Sequence, residues 1–332
     1  RGKEVTVVVE LMARFDEEAN INWADRLEQE GAQVVYGVFG LKTHAKLALI
    51  LRREPTANGG HRLVPYAHLG TGNYHPRTAR LYSDFGLMTA NEEITADVGE
   101  VFKQLTGLGK ARALTHLWQA PFTLQPNVVA AIRAEAEAAR AGKKGVIVAK
   151  MNSLEDPEIV RALYDASRTG VEIDLLVRGV CRLRPGVPGM SETIRVRSIV
   201  GRFLEHARIF CFGNGHGLPS PEALVHIGSA DMMPSNLDRR VEAMVPIELR
   251  LRARPDRERP QQEVERLPDR VRVGVGAEVA HALALLASHH HRPGPLLVEG
   301  DREVRERLVV LQADVEPGPV ALDEVELEKQ RL

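Results

Sequence analysis

Two short segments of this 332-residue chain share one chemical plan. Thr43-His44-Ala45-Lys46 leads into the apolar run Leu47 to Leu51, and Gly70-Thr71-Gly72-Asn73 follows. Glu205-His206-Ala207-Arg208 leads into Ile209 to Phe212, and Gly228-Ser229-Ala230-Asp231 follows. The histidine precedes the first glycine of its turn by 26 positions in one copy and by 22 in the other. Residues i and i+2 of a strand share a face, so His44 is expected beside Lys46 and His206 beside Arg208. A nucleophilic imidazole next to a fixed cation suits attack on phosphorus, because the cation stabilises charge on the transferring oxygens. The small turns are expected to bring backbone N–H groups, a hydroxyl and Asn73 to the same phosphate. One His-x-Lys is a common chance pattern. Two copies, each with its own turn, point to a phosphoryl-transfer site.

The elements around these segments repeat as well. Val5 to Glu10 is a continuous β-branched run, the pattern of a strand buried on both faces. Glu17 to Glu30 carries Ile21, Trp23, Ala24 and Leu27 between charges, a helix that Gly31 is placed to end. Gln33 to Val38 returns to strand composition. The order recurs with the strand Val146 to Ala149, a helix capped by Asp156 with Pro157 at its first position, Gly170 closing it, and the strand Val171 to Val177. Corresponding positions lie 139 to 141 residues apart, so two similar parallel α/β units are expected. Glu92 to Gly142 reads as helical, with Pro121 and Pro126 marking a boundary.

Composition narrows the function classes. A net charge of -1 and a pI near 7.0 argue against a general nucleic-acid binder. Two cysteines, Cys181 and Cys211, supply neither a disulfide framework nor a CxxC zinc site, and read as buried cytosolic thiols. No stretch approaches the ~20 apolar residues of a membrane-spanning helix, and no signal peptide is expected. A chain that starts at Arg1, just before a core strand, is expected to be a piece of a longer protein. Beyond Glu248, Arg250 to Arg270 reads as a solvated Arg/Glu/Pro linker, Val279 to Ser288 as a short amphipathic helix, and His289 to His291 as a surface run. Gly107-Leu108-Gly109-Lys110 lacks the glycine spacing and following Ser/Thr of a phosphate-binding Walker loop.

The paired motifs resemble the phospholipase D superfamily, with one departure. That superfamily usually places an aspartate a few residues beyond the lysine, and Leu47 to Leu51 offers none. Longer blocks narrow the branch. Ala13-Arg14-Phe15-Asp16 and onward to Asn20, Leu41 to Leu47, Gly70 to Tyr82, Leu176 to Gly179, Ser198 to Arg208 and Gly228 to Asn236 closely resemble the C-terminal catalytic region of bacterial polyphosphate kinase, from about Lys3 to about Ile247.

That resemblance implies an α/β fold of two tandem phospholipase D-like domains related by internal duplication. They would span residues 1–110 and 111–248, with a divergent tail at 249–332. It implies reversible transfer of the ATP terminal phosphate to inorganic polyphosphate through a phosphohistidine. His44 would be the phosphorylated residue, and Tyr82, Arg178 and His206 would contact the nucleotide or its phosphates. Arg14 matches a position of the magnesium–phosphate site. Guanidinium has donors only, so Arg14 would hold phosphate oxygens that themselves bind Mg²⁺. Arg77, Arg80, Arg202, Arg239 and Arg240 read first as solvated surface, with the lining of an anionic channel as the second reading. ATP, ADP and polyphosphate are the implied partners, in a cytoplasmic homo-oligomer with no nucleic acid and no membrane-spanning segment. The family's N-terminal domains are not in this sequence. An inactive fragment is therefore one further reading; the other, from the superfamily motif, is a phospholipase D-like phosphodiesterase or nuclease that needs no ATP, against which the absent aspartate counts.

Overall fold

The computed structural model describes residues 3–10, 17–107 and 112–247, with the backbone alone for 17–19, 273–274 and 306–311. In the first half, β1 (Thr6–Val8) and β2 (Gln33–Val35) pair in parallel across α1 (Glu17–Gln29). Gly31, at φ 86°, lets the chain turn back after the helix. β3 (Lys42–Thr43) comes next, then a long antiparallel hairpin of β4 (Lys46–Pro55) and β5 (His61–Gly70). The short α2 (Thr78–Leu81) runs directly into β6 (Tyr82–Thr89), which pairs antiparallel with β5. α3 (Glu92–Thr106) starts at Asn91, whose side chain accepts from the N–H groups of Glu93 and Ile94. Its buried stripe of Ile94, Val98, Val101 and Leu105 follows helical spacing.

The second half holds β7 (Trp118–Ala120), α4 (Leu124–Arg140), β8 (Val146–Met151), α5 (Pro157–Arg168) and β9 (Glu172–Val177). β10 (Ile194–Arg197), β11 (Leu204–Glu205), β12 (Arg208–Phe212), β13 (Leu224–Gly228), α6 (Pro234–Arg239) and β14 (Arg240–Ile247) complete it. The sheet runs β10-β9-β8-β12-β13-β14, parallel on the β8–β9–β10 side and antiparallel from β8 through β14. As expected from its sequence, α5 is capped by Asp156, which accepts from Glu158 N and Ile159 N at 3.1 and 2.9 Å. Such a cap is worth about 1 kcal/mol.

Every residue of β8 is buried, and its two faces serve different cores. Ile147, Ala149 and Met151 pack with α4 and α5 through Val128, Ile132, Ile159 and Leu163. Val146 and Val148 face the opposite cluster, where Ile209, Ile227 and Val245 meet Leu69, Leu87, Ile94 and Val98 of the first half. The second half's sheet therefore has its own helices on one side and the first half on the other.

The halves also exchange backbone. β3, immediately before His44, joins the edge of β14 in parallel, with Thr43 opposite Val241. β11, immediately before His206, joins β6 in parallel, with Glu205 opposite Ser83. Thus each histidine is delivered by a strand paired with the other half.

Several expectations are corrected. β1 is shorter than Val5 to Glu10 and only half-buried, because it pairs with β2 alone. Among the described side chains of α1 only Ala24 is buried, while Ile21 and Trp23 are exposed, with Arg26 over the Trp23 ring. The stretch read as helical with a boundary at Pro121 and Pro126 contains β7 just before Pro121, and Pro126 lies in the first turn of α4, where a missing N–H costs nothing. Cys211 is buried but Cys181 only partly so, and both are free. The tail contributes β15 (Val273–Gly274) and β16 (Glu306–Leu311), the latter antiparallel to β6. The linker, helix and histidine-run expectations there fall outside the described residues.

Candidate active site

Both motifs converge where the halves meet, and each histidine is gripped by a carboxylate of the other half. His44 Nδ1 lies 2.8 Å from Glu242 Oε2, on β14. His206 Nδ1 lies 2.8 Å from Asp84 Oδ1, on β6. Each carboxylate accepts in turn from the hydroxyl of the turn in its own half. Ser229 Oγ donates to Glu242 Oε2 at 2.5 Å, and Thr71 Oγ1 donates to Asp84 Oδ1 at 2.6 Å. This corrects the expectation that those hydroxyls reach toward phosphate. Thr71 and Ser229 are buried, and a buried carboxylate needs donors. Gly72 serves the same end, since a Cβ there would overlap the Asp84 carboxylate. The backbone adds to the grip, with His44 N and Ala45 N both donating to Val241 O and Ala207 N donating to Ser83 O.

Geometry and electrostatics set the tautomers. Burial lowers the pKa of His44 from 6.5 to about 4, against the raising effect of Glu242, so the ring is neutral at pH 7. An ionised Glu242 accepts only, so Nδ1 carries the proton and Nε2 keeps its lone pair. Burial pushes Glu242 up, but His44, Lys46 and Ser229 outweigh it and hold the carboxyl below its ordinary value. His206 is likewise lowered, first by burial, with Asp84 opposing.

The two cations differ in their commitments. Arg208 NH2 donates to Asp231 at 2.8 Å, and its NH1 lies 3.0 Å from His206 Nε2. Lys46 Nζ bends back to the His44 carbonyl at 2.5 Å, and among the described residues no carboxylate stands within ion-pair distance of it. Burial lowers the Lys46 pKa to about 7. Lys46 acts on His206 and Arg208 acts on His44, so the two motifs share one electrostatic site.

The remaining sequence-derived candidates fall into three groups. Tyr82 packs against His206 with ring centroids 5.0 Å apart. Arg178 Nε donates to Asn152 Oδ1 at 2.8 Å, and Asn152 Nδ2 reaches His206 O at 3.3 Å, which ties the arginine to the site. Asn73 is exposed and takes no part in this network, whereas Asp231, its counterpart in the second half, is buried against Arg208. Arg77, Arg80, Arg202 and Arg239 are exposed, and Arg240 is half-buried with NH1 3.9 Å from Glu242 Oε1. Arg14 lies outside the described residues. Asp84, Glu242 and Asn152 were missed by sequence reasoning, and Asp231 was quoted only as the end of its turn. One signal was available: Asp84 and Glu242 each stand 14 positions after the first glycine of their turn.

The described residues do not form a protein-held Mg²⁺ site. No group of three or more His, Cys, Asp or Glu among them is arranged to hold a metal. Glu242 is fully buried, and both oxygens of Asp84 lie within hydrogen-bond distance of His206.

Two α/β halves thus share one crossed histidine–carboxylate site. Comparison with known proteins is specific. The family model for Polyphosphate kinase C-terminal domain 1 matches residues 1–111, and that for Polyphosphate kinase C-terminal domain 2 matches residues 117–255. The chain is 61% identical over 249 residues to a polyphosphate kinase of Burkholderia vietnamiensis, covering 75% of this chain and 35% of that protein. It is 63% identical over 246 residues to that of Paraburkholderia phytofirmans, covering 74% and 35%. The crystal structure of polyphosphate kinase from Porphyromonas gingivalis superposes with a TM-score of 0.66 at 42% identity, covering 74% of this chain and 36% of that one. The chain belongs to the polyphosphate kinase family, and spans about a third of the length of the curated relatives it matches.

Proposed function

We propose that this chain is the catalytic region of a polyphosphate kinase, moving the terminal phosphate of ATP to inorganic polyphosphate and back through a phosphohistidine at His44. The observation that carries the reading is the asymmetry between the two motifs. Both histidines have a carboxylate at Nδ1, but only His44 has a cation beside it, Lys46, that no carboxylate has claimed. His44 Nε2 attacks the γ-phosphorus in line with the departing β-phosphate oxygen. The P–N bond forms as the P–O bond breaks, and ADP leaves. Lys46 and Arg178 spread the charge on the transferring oxygens. Glu242 stabilises the positive imidazole that results. The terminal oxygen of polyphosphate then takes the phosphoryl group, which restores neutral His44.

His206 is assigned to the leaving side. With Nδ1 donating to Asp84, its Nε2 faces Arg208 NH1 and accepts. It becomes a donor to a phosphate oxygen on protonation, which bound polyanion and Asp84 both favour. Tyr82 beside it is placed for the nucleotide, and Asn73 and Arg208 for phosphate. Mg²⁺ would arrive bound to the ATP phosphates, with Arg14 holding oxygens of the same group. The two catalytic units are taken as residues 1–110 and 111–248, working within a cytoplasmic homo-oligomer. Among the described residues no helix is long and apolar enough to cross a membrane.

The test is covalent labelling. With Mg²⁺ and γ-labelled ATP, the chain is expected to gain an acid-labile, alkali-stable phosphate that His44→Ala abolishes. Label kept by His44→Ala overturns the assignment. If neither protein labels, the remaining two thirds of a relative is supplied in trans. Continued absence of label then assigns the inactive-fragment reading.

A further inference from the structure

The residue before each site histidine is tied down from the end of the strand that opens the strand–helix–strand unit of its own half. In the first half Glu10, two residues past β1, accepts from Thr43 N at 2.6 Å. The residue 140 positions on is Lys150, at the end of β8, and its Nζ lies 2.7 Å from Glu205 Oε2. The same Glu205 oxygen accepts from Ser83 Oγ at 2.9 Å, and Ser83 is the neighbour of Asp84. One carboxylate therefore joins β8, β11 and β6. Two residues further along, Asn152 reaches the His206 carbonyl.

Lys150 is almost fully buried, its side chain 5% exposed. A buried ammonium is costly unless paired, and a leucine would fill the same space. Besides Glu205, the charges acting on it are those of Asp84 and Arg208, the two groups that hold the His206 ring.

We propose that Lys150 is a positioning residue for His206. It acts through Glu205, neutralising that carboxylate and so keeping the charge balance that holds the His206 ring on Asp84. The inference rests on the reading that His206 serves the phosphoryl-transfer site. The groups facing His206 are Asp84 and Tyr82 from β6, Arg208 from β12 and Lys46 from β4. Unpaired Glu205 would add a second negative charge to this surround, and unpaired Lys150 a positive one.

The experiment follows the His206 ring by long-range ¹H–¹⁵N spectra of ¹⁵N-histidine-labelled protein between pH 5 and 8, assigned by loss of its signals in His206→Asn. Lys150→Met is expected to raise proton affinity at His206 about tenfold, and Glu205→Gln to lower it. The double exchange, Lys150→Glu with Glu205→Lys, returns it toward wild type. Opposite signs distinguish positioning by charge from simple loosening, which shifts both single variants the same way. An unchanged titration in folded Lys150→Met, or shifts of one sign in both variants, overturns the proposal. If Lys150→Met does not fold, Glu205→Gln decides: a lowered affinity supports the proposal, and any other result overturns it. No ATP is used, so the outcome is independent of whether His44 labels.

Discussion

Replacing Glu242 with glutamine probes the site most sharply. The substitution keeps shape and volume in a fully buried spot but removes the charge that accepts from His44 Nδ1 at 2.8 Å and from Ser229 Oγ at 2.5 Å. Hydrogen bonds to charged groups are worth about 1.5–3 kcal/mol, so losing the His44 contact alone slows attack by roughly 10- to 150-fold. A second effect adds to it. The glutamine amide can donate to Nδ1, which moves the imidazole proton to Nε2 and blocks the attacking lone pair. Where a histidine loses the carboxylate that sets its tautomer, losses reach about 10⁴-fold. The rate of phosphohistidine formation in Glu242→Gln is therefore expected to fall by about 10²- to 10⁴-fold. Spectra of the ¹⁵N-labelled ring should show the proton redistributed from Nδ1. Rapid-quench labelling with γ-labelled ATP, beside urea unfolding to confirm the fold, gives both readouts. A variant that labels within about threefold of wild type and keeps Nδ1 protonated would refute the role given to Glu242.

Two further outcomes concern stability. His226 is stacked on Trp118 with ring centroids 4.0 Å apart, and its Nδ1 has no partner. Burial lowers its pKa to about 4. The unfolded chain therefore binds the proton first as pH falls, and stability present above pH ~6.5 is lost down to about 4. Between pH 7 and 5 this group contributes a loss of about 2 kcal/mol, which His226→Phe should remove from urea-unfolding curves measured at the two pH values. Asp97, buried on α3, accepts from the backbone N–H groups of Thr115, His116 and Leu117 and pins the segment joining the halves. Asp97→Ala is expected to cost about 3 kcal/mol in urea unfolding, from several charge-assisted bonds left open in a buried place.

How much of this was legible follows from what each feature depends on. β8, α5 and β9 announce themselves because continuous burial, an Asp-Pro cap and a closing glycine are local signals. The two histidines and their cations are legible because they repeat. Asp84 and Glu242 were not, although they repeat at equal spacing, because a carboxylate matters here only through a partner far along the chain. That partnership exists because β3 and β11 cross between halves, a pairing no local pattern encodes. The same blindness misdirected the roles of Thr71 and Ser229. Their hydroxyls looked free for a ligand until the buried acids beside them came into view. On α1, Ile21 and Trp23 follow a helical rhythm yet lie exposed, since the packing partner that makes a stripe a core is a property of the fold.

The crossed carboxylates bear on the order in which this molecule becomes competent as it is made. His44 leaves the ribosome 198 residues before the acid that sets its tautomer. Until β14 has been synthesised and has captured β3, the imidazole proton is free to sit on either nitrogen. A nascent or interrupted chain can hold the histidine, the lysine and the glycine turn without the proton fixed on Nδ1 that the proposed attack needs. The safety catch on His44 is the topology itself, and it releases only when the second half has folded against the first.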